Sequence, residues 1–536
     1  MGSLAQAQLG VSPSQSSGLL RELRDRSSEI TKEDPVGNDR LLLDQSRSLT
    51  NPSALSDSNA GATRLRGDLT GYPSQYQAQR SSLSPWSGTL MKPESSQKFG
   101  QGTLGMALDQ TFEWNEVDSG FSRRDAWLSS TMLSISASHG SLETGRLSLN
   151  AAGGVILADS DDFILSSSHG DVGWFMQPGS SLTYDVKIGD VTISLYDRFS
   201  ARPDAVLNTQ GILPGLVRSP FFATRQNDLG AAVTWQIRTD LSLTLNYNWA
   251  SSSPVRSEMG EFGERDIHSV LAGLCWDACK AARLGVEGGY AWTAYESEFF
   301  ADGEQWHMGL FAEVSLPFEH RLRLDAGVQG MSFETLSDTI IFAGGNPFDP
   351  NPTPSMFFTN TGDNSDLGPA PFYALTLSGR LSKNVVHELS AGYEANLALV
   401  SNYVQAHFVN YGIQAALWQG ASLGVSGHFE VADDSGGAFA GDTSSYGGVA
   451  GLQQTFGKLT LSASYGYTHF ETDSQSQALV RVWETTDQQA MGLTAAWQLC
   501  PKSSLYFGWQ RFSTELEGSE NSADQTRVML GLRMVF

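Results

Sequence analysis

The sequence predicts an all-β fold: a transmembrane, antiparallel, up-and-down β-barrel of about 20 strands (16–20 on the looser count), preceded by a largely disordered segment. Three observations carry this. Apolar and polar residues alternate with a period of two from about residue 103 to the C-terminus, the connections alternate between short and long, and tryptophans collect at strand ends.

Composition narrows the classes first. Among 536 residues, 34 Lys+Arg against 58 Asp+Glu give a net charge of -24, which excludes an electrostatic nucleic-acid binder. No run approaches the roughly 18 apolar residues that a membrane-spanning helix requires. A β-barrel hides from hydropathy averages because only every second side chain faces lipid.

Residues 1–100 hold 11 basic and 10 acidic side chains, leaving 23 and 48 for the remainder. This first part is rich in Ser, Gln, Asn and Asp and lacks apolar periodicity, so it is expected to be a mostly disordered periplasmic segment, with 101–536 as the barrel. No basic and apolar leader follows Met1, yet Ala5-Gln6-Ala7 has the small-x-small form of a cleavage site. The expectation is a chain whose signal peptide is missing.

The strands follow in order. Leu104, Met106, Leu108, Phe112 and Trp114 alternate with Gly105, Ala107, Asp109, Thr111 and Glu113. The pattern returns at Leu229–Ile237, Leu241–Trp249, Leu459–Tyr467 and Val528–Phe536, in runs about as long as the 9 to 11 residues that cross a bilayer at a tilt. Short connections are expected near 139–143, 188–190, 238–241, 276–281, 316–320, 382–385, 418–421, 456–458 and 499–502. Long ones are expected near 158–180, 199–226, 251–265, 294–304, 334–370, 432–444, 472–484 and 515–524. Short turns at one rim and long loops at the other describe an outer-membrane barrel, with the short turns periplasmic. In that topology Trp235, Trp276, Trp418 and Trp497 fall at short-turn ends, and Trp114, Trp127, Trp249, Trp292, Trp306 and Trp483 fall toward long-loop ends. These are the two interfacial girdles.

Parity then assigns the lumen. Arg238, Arg283, Arg321, Arg323, Arg380 and Arg533 form an expected basic collar near the periplasmic ends. Glu287, Glu313, Asp325, Glu388, Glu394 and Glu430 line the lumen with acid, and further carboxylates occupy the outer loops. Such charges either create a field that selects ions and solutes or pair with one another. The stretch from Glu334 to Ala370 is long enough to be functional; its Asp363, Asn364 and Asp366 lack the spacing of a calcium loop.

No catalytic constellation is visible, and His139 with Ser141 and His268 with Ser269 read as ordinary strand or turn residues, so no enzyme activity, metal or cofactor is expected. Cys275 and Cys279 are spaced to close a small turn disulfide in an oxidising compartment. Three cysteines are too few for a disulfide scaffold.

The ending Gly531-Leu532-Arg533-Met534-Val535-Phe536 resembles the C-terminal signal read by the barrel-assembly machinery, carried by Gly531, Met534 and Phe536; Met529 stands where a polar residue is usual. More broadly, Asp109-Gln110-Thr111-Phe112-Glu113-Trp114-Asn115-Glu116, Asp125, Ser181–Tyr184 and Val191–Phe199 resemble the β-barrel porin type 2 group. Glu116 replaces the Asp common there. The resemblance implies a pore of the Gram-negative outer membrane or cell envelope, sometimes linked to polysaccharide export. Expected partners are outer-membrane lipid and lipopolysaccharide, the assembly machinery, and small solutes or an anionic polymer, with no nucleic acid. The leading expectation is a porin-like channel for passive transport. An exopolysaccharide exporter, an autotransporter translocator and a plugged structural or adhesion barrel are the alternatives.

Overall fold

The computed structural model describes residues 97–99, 102–118, 123–159, 172–202, 224–254, 264–296, 302–334, 340–344, 354–359, 366–397, 403–418, 420–435, 441–473, 485–516 and 522–536. In chain order the strands are β1 (Gln97–Phe99), β2 (Gly102–Asp118), β3 (Arg123–Ser141), β4 (Gly145–Ala158), β5 (Val172–Ile188), β6 (Val191–Arg202), β7 (Thr224–Arg238) and β8 (Leu241–Pro254). They continue as β9 (Arg265–Cys279), β10 (Ala282–Tyr295), β11 (Gly303–Leu316), β12 (His320–Phe333), β13 (Ile340–Gly344), β14 (Pro354–Thr359), β15 (Leu367–Ser382) and β16 (Val385–Leu397). The last are β17 (Tyr403–Trp418), β18 (Ala421–Ser435), β19 (Gly441–Phe456), β20 (Leu459–Asp473), β21 (Thr485–Cys500), β22 (Ser503–Leu516) and β23 (Ser522–Val535).

Twenty of these, β2–β12 and β15–β23, each pair antiparallel with the next in sequence. The cylinder closes where β2 meets β23, in register from Ala107↔Val535 to Asp118↔Asp524. Closure matters because an open edge in hydrocarbon would leave a row of peptide groups unsatisfied. β1 adds three residue pairs to β2, just inside the boundary drawn at residue 100. The rest of the segment 1–100 lies outside the described residues.

The two faces separate by parity. Large apolar side chains exposed on the outside include Leu133, Leu245, Met308, Leu310, Val425, Leu493 and Leu530. Their neighbours in sequence, such as Ser134, Thr244, Asn246 and His307, are buried on the inner side. This belt, rich in exposed leucine and valine, is the surface that acyl chains cover. Trp235, Trp276, Trp418 and Trp497 are exposed at one end of the belt, with Trp127, Trp174 and Trp292 at the other. Two girdle tryptophans reach polar partners through their ring nitrogens: Trp276 donates to Asp240 at 3.1 Å and Trp249 to Asp266 at 3.2 Å. Trp483 lies outside the described residues.

The nine expected short turns are all present. At one of them, Gly457 has φ 59°, with open space around it, so the turn demands glycine for its backbone sign rather than for room. At another, Phe318 and Glu319 both take positive φ, and Phe318 is 86% exposed at the rim.

The long side needs two corrections. It contains two further connections, 119–122 and 398–402, too short to stand out beside their neighbours. Strands also run further than expected: β5 starts at Val172 and β15 at Leu367, inside stretches read as loop, because Gly and Pro there mark strand irregularities rather than strand ends. The stretch from Glu334 to Ala370 thus holds a separate hairpin, β13 with β14, before β15 begins.

The turn disulfide that the C-x-x-x-C spacing left open is not formed. Cys275, Cys279 and Cys500 are all free, with Cys275 buried and Cys279 exposed. Both of the first pair lie on β9, and four residues of extended strand separate their Cα atoms by roughly 13 Å, about twice the disulfide span.

Candidate functional site: the inner wall

The inner wall is built from positions that alternate with the lipid belt, so every expected lumen residue can be placed. Arg283, Glu313 and Arg323 stand in register on β10, β11 and β12. Around them the charges interlock. Arg283 Nε donates to Asp277 Oδ1 at 3.0 Å, and its Nη1 lies 3.9 Å from Glu313 Oε2. Arg323 grips Asp325 through Nε at 2.8 Å and Nη2 at 2.6 Å, and Nη2 lies 3.9 Å from Glu287 Oε2. The Arg323 guanidinium also sits 4.3 Å from the centre of the Phe311 ring. The collar and the acidic positions therefore form one interleaved network on these strands, not two rings at different depths.

The other arginines follow suit. Arg380 Nη1 is 3.3 Å from Glu319 Oε2, Arg533 Nε is 4.0 Å from Asp109 Oδ1, and Arg238 Nη2 is 3.2 Å from Asp240 Oδ2. Arg238 and its partner are solvent-exposed at the turn, which makes them rim residues rather than wall residues. Arg321 differs: it is exposed, makes no ion pair among the described residues, and is flanked in register by Ser315 and Ser378. Glu394 is buried on β16, whereas Glu388 on the same strand and Glu430 on β18 are half-buried.

Two features lay beyond the reach of the sequence. The first is a polar ladder along the closing seam, where consecutive inward positions of β2 each find a partner on β22 or β23. Thr111 Oγ1 meets Tyr506 Oη at 2.9 Å, Arg527 holds Glu113 at 2.7 and 3.0 Å, and Gln525 Nε2 donates to Asn115 Oδ1 at 2.9 Å. The second is a set of inward aromatics that lie across glycines of the neighbouring strand: Tyr196 over Gly230, Phe311 over Gly285, Phe372 over Gly327 and Tyr506 over Gly531. Flattened this way, bulky rings line the wall without projecting far into the lumen.

Several considered groups separate. His268 faces lipid between Trp249 and Trp292, its ring 5.0 Å from that of Trp292, while Ser269 is buried on the opposite face of the strand. Asp366 Oδ1 accepts from the Phe333 backbone N–H at 2.9 Å; Asp363 and Asn364 lie outside the described residues. Met534 and Phe536 share the outward parity of β23, and the Phe536 N–H donates to the Met106 carbonyl at 2.9 Å.

No family model and no curated protein matches the chain. Among solved structures, OccK8 (OprE) of Pseudomonas aeruginosa is similar at 11% identity and a TM-score of 0.37, covering 81% of this chain and 98% of that one. The copper transporter OprC is similar at 12% and 0.45, covering 82% of each chain. The FrpB iron transporter from Neisseria meningitidis is similar at 8% and 0.47, covering 81% of each. With every score below 0.5, the fold and the site stand on the chain's own geometry.

Proposed function

We propose that the chain is a channel of the bacterial outer membrane that passes small polar solutes or ions through its lumen. One observation carries the reading: a closed cylinder of 20 strands whose outer wall is predominantly apolar between aromatic girdles and whose inner wall is lined by hydrogen-bonded polar and ion-paired side chains. Barrels of about 16 to 18 strands already enclose an aqueous channel, so twenty strands leave room for one. Outer-leaflet glycolipid would surround the long-loop girdle. Gly531, Met534 and Phe536 would serve the assembly machinery, and residues 1–100 would sit on the periplasmic side.

The collar acts in this reading mainly as neutralised pairs, with Arg321 as the cation most available to a passing solute. That arrangement suits mixed small solutes better than an anionic polymer, which would need a run of unpaired arginines. The full burial of Gln510, Gln525 and Asn115 favours a second reading, a lumen filled along the seam. Planar-bilayer recording separates the two: stable ohmic steps support the channel, and a silent bilayer at saturating protein contradicts it.

A further inference from the structure

On β2 and β3, polar side chains interrupt the lipid-facing belt. Outward positions of β2 run Leu108, Gln110, Phe112, and Gln110 lies at the midpoint of the strand, in register with Thr131 of β3. Gln110 Nε2 donates to Ser129 Oγ at 3.1 Å, and Thr131 Oγ1 donates to Gln110 Oε1. Ser129 and Thr131 share the outward parity of Trp127 and Leu133, both exposed, so all three polar side chains face the hydrocarbon side. Leu532 of β23 and Val155 of β4 flank the island in register. The pair Trp114↔Trp127 marks the long-loop girdle about 13 Å away along the strand, and Met106 holds the C-terminal Phe536 near the other rim.

A carboxamide offers two N–H donors and two acceptor lone pairs. The bonds to Ser129 and Thr131 use one of each, and acyl chains can satisfy neither of those left over. We propose that this face docks a second copy of the same chain across a twofold axis along the membrane normal, with the two Gln110 amides facing each other. The unused donor and acceptor are self-complementary, and only a twofold contact brings like to like. Beside the island, Ala151 and Gly153 on the outward side of β4 form a shelf of small residues where two backbones can approach closely. A head-to-tail contact with the β11–β12 wall, where Leu310 and Leu324 are exposed, would leave Gln110 without a polar group to answer it. This proposal rests on the membrane-spanning reading.

The test uses the full chain reconstituted in lipid vesicles, with Cys275, Cys279 and Cys500 replaced by serine. Leu108→Cys, which leaves Gln110 intact, should give a covalent dimer with a short bis-maleimide, while Leu310→Cys stays monomeric. Adding Gln110→Leu should lower the dimer yield about tenfold, in line with two lost amide bonds in a membrane, without changing the heat-modifiable gel mobility that marks a folded barrel. Equal yields from Leu108→Cys and Leu310→Cys, a covalent product with a different protein in native membranes, or an unchanged yield with Gln110→Leu would each overturn the proposal. A lipid-accessible label at Leu310 together with no dimer would remove the docking and leave the membrane reading intact.

Discussion

Tyr506 of β22 lies across Gly531 of β23, its register partner: a Cβ at position 531 would stand 2.0 Å from the tyrosine Cζ. The Tyr506 hydroxyl reaches Thr111 of β2 at 2.9 Å, so one side chain spans β22 and β23 and touches β2, the strand that closes the barrel. The glycine that reads as part of a C-terminal signal thus also has a packing role in closing the barrel. Gly531→Leu should lower stability by about 1 to 3 kcal/mol, the usual cost of overpacking. Adding Tyr506→Ala should restore part of it. Urea unfolding in vesicles, followed by tryptophan fluorescence, measures both; equal loss in the single and double variants would refute the buttress.

Arg323 and Asp325 form a buried pair, with side chains only 7% and 1% exposed. Removing one partner leaves a desolvated charge, so Asp325→Ala should cost about 3 to 5 kcal/mol, while the double replacement Arg323→Met with Asp325→Leu should be close to neutral. Glu287 near the guanidinium will offset some of the single-variant loss. The same unfolding assay decides, and a double variant as unstable as Asp325→Ala would contradict the pairing.

Ion selectivity should depend on Arg321 more than on the paired arginines. In a salt gradient across a planar bilayer, Arg321→Gln should move the reversal potential toward cations. The pair replacement Arg323→Gln with Asp325→Asn should change it little. An Arg321 variant with unaltered selectivity would remove that residue from the solute path.

Just outside β9, burial first and then the neighbouring Glu296 push the Glu264 carboxyl above its ordinary range, with Arg225 opposing. A raised folded-state pKa means the folded protein holds the proton more tightly. The strain is therefore absent below the ordinary carboxylate pKa and complete above the raised one. Glu264→Gln should slow local hydrogen exchange at the β9–β10 rim at pH 7 and have no effect near pH 4. An equal effect at both values would contradict this coupling.

Much of the barrel is legible in the sequence because its two determinants are local. Alternation from Leu241 to Trp249 specifies a strand and its lipid face together, and the nine short turns specify direction. Gln110 breaks the apolar alternation of β2, but its outward partners Ser129 and Thr131 belong to another strand, so the polar island emerges only from the register. What stayed hidden is non-local. Parity turns Glu113 and Arg527 inward, yet nothing local joins residues separated by 414 positions. Parity likewise placed Arg283 and Glu313 on the inner wall without revealing that cross-strand register makes them neighbours. The short connections 119–122 and 398–402 were missed for a related reason, since the flanking strands are continuous in composition with them.

The central claim, that hydrocarbon covers one face of a closed cylinder and a polar lumen occupies the other, is tested most directly along β11. Spin labels placed singly from His307 to Glu313 in the cysteine-free chain report collisions with dissolved oxygen and with a water-soluble nickel chelate. Oxygen accessibility should peak at Met308, Leu310 and Ala312 and fall at His307, Phe311 and Glu313. A profile without this two-residue period, or nickel reaching Met308, Leu310 and Ala312, would contradict it.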